Sequence, residues 1–423
     1  MLGRSSCQPL QASPVMKCNR KKYLLVCYGR SHAKTIKILA DLLPNENVVI
    51  LPLLTAKDEF KDEQYEKIDL WSFTSASKLE EAVNIGGEIF FDHHNPHSGI
   101  DKLESLRYLG LSYMDSEQFY GKAKWQKKYS EIGRQAFLPI NTMESIFREI
   151  QPAALITTNS PRAERAAQMV ASEICTPGVI FTDLFSGVPY YKMASTYINF
   201  LNREAFKCIN RLKLVDQKHS RPTFFGNPLF IRIFDALNFD NELCRSSLHR
   251  RKVLHIDSHS YLDCISRKSI FRSTEETVSE VNLLREAFEK LGLELVWRPH
   301  PAQATDELIE RIERVDVSID FSQIEDLDPR SYRFVVGRNS TALIELLLRG
   351  ASLIQIDPHT HSDMPLVKMG VASGKLITST KKIEMFEIEE TSFDERVADA
   401  LNLHPENLIK LQHFLRKGLF VEA

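Results

Sequence analysis

The sequence predicts an α/β protein with two doubly wound, Rossmann-like domains facing each other across a cleft. Three observations predict it. Short apolar runs alternate with longer amphipathic stretches from about residue 21 onward, the pattern of parallel strands joined by crossover helices. The 423 residues are too many for one compact core and suit two domains. The alternation breaks once, at the polar stretch Asp216-Gln217-Lys218-His219-Ser220-Arg221-Pro222, and then restarts. The expected organisation is a loose tail over residues 1–20, a first domain over 21–220, a second over 221–400 and a closing helical segment over 401–423.

The elements follow in order. Tyr23–Tyr28 and Val48–Leu53 read as buried strands, and Ala33–Leu43 between them as a helix, because Ile36, Leu39, Ala40 and Leu43 share one face. Glu88–Phe91 reads as a further strand. Glu144–Ile150, Ala153–Thr157, Arg162–Glu173 and Gly178–Thr182 then give helix, strand, helix and strand. In the second half the strands are Lys252–Ile256, Leu293–Arg298, Phe334–Val336 and Ser352–Ile356. The helices between them are Glu275–Leu291, Thr305–Val315 and Ser340–Arg349, and Asn407–Arg416 closes the chain.

Composition narrows the function. Lys plus Arg is 54 against 56 Asp plus Glu, a formal charge of −2, so no global field draws nucleic acid or an anionic membrane. With 43% hydrophobic and 26% charged residues, the chain is neither collagen-like nor disordered. No apolar stretch approaches the roughly 18–20 residues of a membrane span. Arg20-Lys21-Lys22 precedes an apolar run, but Tyr23–Cys27 is shorter than the ~7–15 residues of a signal core. The seven cysteines are scattered without a C-x-x-C pair, as core thiols of a reducing compartment are. The expectation is a cytoplasmic protein with peripheral membrane association at most.

In open α/β sheets ligands bind beyond the carboxyl ends of strands, so residues just after strands are the candidates. In the second half, Trp297-Arg298-Pro299-His300-Pro301 ends a strand with a cation and an imidazole, stiffened by two prolines. One β-α unit later, Gly337-Arg338-Asn339-Ser340-Thr341 joins a strand to a helix that also carries Glu345. A helix start offers unpaired N–H groups and a favourable dipole to an anion; Ser340 and Thr341 add hydroxyls and Arg338 adds charge. Asn339 or Ser340 would equally serve as an ordinary helix cap.

In the first half, Gly29-Arg30-Ser31-His32 places His32 at a helix start, where the dipole favours neutral imidazole and so a base. Asp92 and His93, followed by His94, come after the expected Phe90-Phe91 strand end, and Asp183 after Val179-Ile180-Phe181. The segment from Thr157 to Arg162 would bind acceptor hydroxyls or cap a helix. Arg162 and Arg165 would suit an anionic acceptor or simply face solvent.

Arg298-Pro299-His300-Pro301 with Asn339-Ser340-Thr341 resembles the His-Pro and Ser-Ser/Thr motifs of bacterial sialyltransferases with the GT-B fold. The pair is also similar to segments of CDP-glycerol-type polyol-phosphate transferases. Phe225-Gly226-Asn227-Pro228 resembles the Gly-Asn-Pro element of lipid-A-disaccharide synthase and of nucleotide-sugar 2-epimerase relatives. The resemblance spans roughly residues 224–375. It implies a glycosyltransferase for surface polysaccharide or glycolipid (capsule-type) assembly. Its donor is a nucleotide-activated sugar or polyol phosphate, its acceptor a carbohydrate or glycolipid, with no resident cofactor and no metal. Arg298, His300, Arg338, Asn339, Ser340, Thr341 and Glu345 would hold the nucleotide. The acidic-pair-Gly element that supplies the base in sialyltransferase-like families is absent, so His32, Asp92 and His93 stand as catalytic candidates. A 2-epimerase-like enzyme and a non-catalytic GT-B-like binding protein are the alternatives. A metal-dependent phosphoesterase is another, since Asp92-His93-His94 resembles an Asp-His-His metal motif, although its upstream acidic element is missing.

Overall fold

Two seven-stranded sheets organise the chain. The computed structural model describes residues 22–420, apart from residues 30, 62–63, 94–99, 183–190, 212, 237–249, 259, 264–267, 301–303, 339, 357–365, 367–370, 373, 380–381 and 386–394. Of residues 91–93, 208, 260–263, 268–271, 374–379, 382–385 and 395 it describes the backbone alone.

The strands of the first sheet are β1 (Tyr23–Cys27), β2 (Val48–Pro52), β3 (Glu66–Lys67), β4 (Ala154–Thr158), β5 (Gly178–Phe181), β6 (Tyr197–Asn199) and β7 (Arg221–Thr223). Their order is β3-β2-β1-β4-β5-β6-β7, with every neighbouring pair parallel. Next come β8 (Lys252–Ile256) and the hairpin strands β9 (Ser260–Asp263) and β10 (Lys268–Phe271). They are followed by β11 (Glu294–Arg298), β12 (Ser318–Ile319), β13 (Phe334–Gly337), β14 (Leu353–Ile356), β15 (Gly374–Ser379) and β16 (Lys382–Met385). The second sheet runs β12-β11-β8-β13-β14-β15-β16, parallel except for the final antiparallel pair. Both sheets start in the middle, wind one way, then reverse. The reversal falls between β1 and β4 in one and between β8 and β13 in the other, and such switch points are where doubly wound sheets bind ligands.

The helices of the first half are α1 (Ser31–Asp41), α2 (Ala56–Glu59), α3 (Ala76–His93), α4 (Lys102–Tyr120), α5 (Lys122–Ile132), α6 (Ile140–Ile150), α7 (Ala163–Glu173) and α8 (Arg203–Arg211). Then follow α9 (Pro228–Ala236), α10 (Thr274–Glu289), α11 (Asp306–Glu313), α12 (Thr341–Leu348), α13 (Glu395–Leu401) and α14 (Glu406–Arg416). They cover both faces of the sheets. In β1 the side chains of Tyr23, Leu25 and Cys27 enter one core, and Leu24 and Val26 enter the other. A strand apolar at every position is what a central parallel strand requires.

One expected strand is a helix. Glu88–Phe91 belongs to α3, so Asp92 and His93 sit on that helix's last turn and not at a strand's carboxyl end. The physical reason lies in the glycines. A Cβ at Gly86 would lie 2.0 Å from Leu106 O, and one at Gly110 would lie 1.7 Å from Ala82 O. Gly86 and Gly110 let α3 and α4 touch backbone to backbone. The side chains of Asp92 and His93, and all of His94 and Asp183, lie outside the described residues.

The first sheet runs through Thr223, a little past the polar stretch that marks the join. Gly226 then turns with φ +78°, and a Cβ there would stand 2.6 Å from Asn402 O. Asn227 caps α9 by accepting a hydrogen bond from Leu229 N at 3.0 Å, with Pro228 at the first helical position. The last helices return to the first domain. Asn402 donates to Leu201 O and Phe224 O at 3.0 and 3.1 Å, and Arg416 Nε donates to Leu42 O at 3.0 Å. One continuous core joins α1, α9, α12, α13 and α14, through residues such as Ile36, Phe230, Ile344, Leu401 and Leu411. Among the described residues no helix is long and apolar enough to cross a membrane.

Candidate active site

On the first-domain side, the chain leaves β1 through Tyr28 and Gly29 and enters α1, which puts His32 in the first helical turn. His32 Nδ1 lies 2.6 Å from Thr158 Oγ1, at the end of β4. Thr158 donates to Glu164 Oε2 at 2.6 Å, and Glu164 Oε1 accepts from Tyr28 N at 2.8 Å. Thr158 has a single hydroxyl proton. Since that proton goes to Glu164, the proton on the His32 bond belongs to Nδ1, and in the neutral ring Nε2 then carries the lone pair. Glu164 is fully buried in the first turn of α7. Burial raises its pKa, against the opposing pull of His32, the Thr158 hydroxyl and the Tyr28 N–H. The result is an oriented imidazole held by two residues of the neighbouring β-α unit.

On the second-domain side, Arg298 and Gly337 pair with the same residue, Ile256, from opposite sides of β8. The ends of β11 and β13 are therefore level and about 10 Å apart, two strand spacings. Ser340 caps α12 by accepting from Ala342 N at 3.2 Å, and Thr341 opens the helix. Arg298 is buried and donates to Ser322 O at 2.9 Å; His300 follows, half-buried.

Charge on this side is internally matched. Arg338 is buried and makes a two-pronged ion pair with Glu280 of α10, one arm at 2.8 Å. Arg272 pairs with Asp257 and lies 3.2 Å from Glu280, and His255 Nε2 is 3.7 Å from Glu280. Burial alone would raise the Glu280 carboxyl, but Arg338 and Arg272 overcome it and hold the pKa at about 2. Burial keeps His255 below its usual value. His255, Asp257 and Glu280 are close enough to share a cation, yet the two guanidiniums already hold these carboxylates.

Glu345, 8% exposed on α12, has its pKa raised to about 7 by burial. Glu325 nearby pushes it the same way, while Lys34, Arg349 and Arg298 favour the ionised form. Lys34 of α1 crosses between the domains to pair with Glu325.

The two sides meet. Ser31, His32, Thr35 and Thr158 of the first domain line one crevice with Asn227 of the join and Thr341 of the second. The void there is about 10 Å³, room for one water. His32, Thr341 and, one residue back, Ser340 are thus brought together. Arg338 is buried behind them on Glu280, Asn339 is outside the described residues, and the helical setting of Asp92 and His93 removes the strand-end argument that nominated them. The residues that sequence reasoning passed over are Glu164, Lys34 and Glu280. Glu164 has the only signal: an acidic residue in a helix's first turn, which usually marks a solvated dipole partner.

No protein-family model matches the sequence, and no curated protein does. Solved structures do. The chain is similar to the MnaA–UDP complex of S. aureus, with 9% identity over 96% of this chain and 98% of that one and a TM-score of 0.51. It is similar also to the UDP-GlcNAc 2-epimerase of Methanocaldococcus jannaschii in complex with UDP-GlcNAc and UDP, with 10% identity, 93% and 99% coverage and a TM-score of 0.50. The glycosyltransferase SnogD of Streptomyces nogalater is a looser match, with 11% identity, 94% and 96% coverage and a TM-score of 0.39. At such identities the shared property is the fold: two Rossmann-like domains in the GT-B arrangement. The narrower likeness to sialyltransferases and polyol-phosphate transferases is carried by the motifs alone.

Proposed function

We propose that this protein is a GT-B glycosyltransferase that moves a sugar from a nucleotide-activated donor to a hydroxyl of a carbohydrate or glycolipid. The observation that carries this reading is the crevice where His32, oriented through Thr158 and Glu164, faces the start of α12. His32 Nε2 takes the acceptor hydroxyl's proton, and that oxygen bonds to the anomeric carbon. The bond from that carbon to the donor phosphate breaks, and its electron pair leaves with the nucleotide. Ser340, Thr341 and the α12 N–H groups, with His300, stabilise the charge that builds on the phosphate oxygens. Glu345, one turn into α12, would meet the ribose or base, as the family resemblance implies. A crevice with room for one water admits no donor, so the domains part to bind and close to exclude competing water. The sialyltransferase-like motifs point to surface polysaccharide or glycolipid assembly.

A second reading, epimerisation of the donor sugar without an acceptor, is favoured by the fold shared with the M. jannaschii epimerase. One experiment separates the two. Calorimetric titration with CMP, CDP, UDP and GDP identifies the nucleotide, and NMR then follows the corresponding sugar nucleotide in the presence of protein. Binding that is weakened in His300→Ala, with release of free nucleotide, supports transfer. Conversion to a C2 epimer supports the second reading, and binding with neither product marks a non-catalytic protein. If none of the four nucleotides binds, both enzymatic readings fall.

A further inference from the structure

We infer that the first domain carries an anion-binding subsite built by Arg165 of α7 with Lys124 and Lys128 of α5, and that its ligand is a carboxylate or phosphate group on the second substrate. The geometry is specific. The Arg165 guanidinium lies 4.8 Å from the centre of the Tyr191 ring, and the Lys124 and Lys128 ammonium groups lie 5.5 and 5.0 Å from the centre of Tyr120. Tyr191 is fixed in turn by donating its hydroxyl to Asn159 O at 2.7 Å. Two aromatic rings hold three cations in one neighbourhood. Arg165 and Lys128 are half-buried, so Arg165 is not the solvent-facing arginine of the simpler expectation.

What the cluster lacks is an acid. Among the described residues none of the three cations has a carboxylate at ion-pair distance. Burial, then Arg165 and Lys124, lower the pKa of Lys128, with Glu131 as the opposing charge. Burial lowers Arg165 too, and only Tyr120 and Tyr191 oppose it. Like charges gathered without a counterion oppose folding, and a cation–π contact returns only about 0.5–2 kcal/mol. Several cations elsewhere do meet an acid: Lys78 with Asp115, Lys57 with Glu104 and Arg338 with Glu280. An unmatched trio is what a site for an anionic ligand looks like before the ligand arrives. Its position fits, because Arg165 directly follows Glu164, whose carboxylate anchors the Thr158–His32 chain.

That the anion belongs to the acceptor rests on the proposed transfer reaction; the anion site itself does not. The test is calorimetric titration of the full chain with inorganic phosphate, with glucuronate, and with phosphatidylglycerol vesicles. Arg165→Gln and the double variant Lys124→Gln/Lys128→Gln are compared with the parent, and UDP is titrated in parallel. Phosphate or glucuronate should bind the parent and lose about tenfold or more in affinity in both variants, with UDP affinity unchanged. Competition between phosphate and the vesicles assigns the anion to a lipid headgroup, and lack of competition to a soluble substrate; either supports the subsite. Failure of both small anions to bind the parent, equal binding by the variants, or binding to vesicles alone overturns it. If UDP does not bind but the anion behaviour holds, the transferase reading fails and the subsite stands.

Discussion

The two carboxyl edges that face each other share a strand order and treat charge in opposite ways. At the second edge the buried arginines are consumed internally, Arg338 and Arg272 by Glu280 and Asp257, and Arg298 is bonded to a backbone carbonyl. At the first edge the buried acid, Glu164, answers to hydroxyl and N–H donors, while among the described residues Arg165 and its lysine neighbours have no acid at ion-pair distance. The second edge is a rigid frame that ends in the uncharged donors of Ser340, Thr341 and a helix terminus. The first keeps an oriented imidazole and half-buried positive charge. An arginine in a phosphate-like motif is therefore not by its type a phosphate ligand; its counterions decide.

The sharpest way to break this comparison is at His32. His32→Ala should lower kcat by about 10²–10⁴-fold while nucleotide affinity is kept, because general-base catalysis is worth that much and the proposed nucleotide site is on the other edge. Thr158→Val keeps the shape and cuts the link to Glu164, so it should give a smaller loss and a shifted pH–rate profile. A full-rate His32→Ala enzyme would remove the base from the first edge.

Arg338 gives the next largest effect, and on stability. Arg338→Ala strands Glu280 in the interior with Arg272 and His255 as its remaining neighbours, a loss of about 3–5 kcal/mol in urea unfolding. Adding Glu280→Leu should recover most of it, since a buried pair replaced by apolar groups is often neutral. If Arg338→Ala instead unfolds like the parent and loses only nucleotide affinity, the second edge is not the internally matched frame described here.

Much of this was legible in the sequence. β1, β8, β11 and α12 follow from apolar runs and amphipathic spacing within a residue or two of their observed ends, and so does the placing of His32 and Ser340 just beyond strands. Local pattern encodes them. What failed was non-local. Glu88–Phe91 looks like a strand until α4 is seen to press its backbone against Gly86 of the same helix. Arg338 looks like a phosphate ligand until Glu280, 58 residues earlier, folds onto it. Glu164 looks solvated until Thr158 and Tyr28 close over it. Short motifs report which strand end a residue occupies; they do not report which partner arrives from another part of the chain.

The smallest effect tests Glu345, an acid of the second edge that the arginines leave partly unanswered. Glu345 has a folded pKa of about 7 against about 4.3 in the unfolded chain. Below about pH 4 both states hold the proton and the group costs nothing. As pH rises from there to about 7 the unfolded chain releases its proton while the folded protein keeps it, so stability falls. The loss reaches up to about 3–4 kcal/mol and levels off above the folded pKa. With 8% exposure, solvent screening takes little of this away. Glu345→Gln has no proton to lose, so it should match the parent near about pH 4 and exceed it at about pH 8, read from urea unfolding at both. A pH-independent difference would mean that Glu345 is ionised and matched like Glu280. Lys34 reaches it from the other domain and favours the ionised form; with Lys34→Gln the fall in stability should therefore extend to higher pH, which would make this acid a reporter of how the two edges meet.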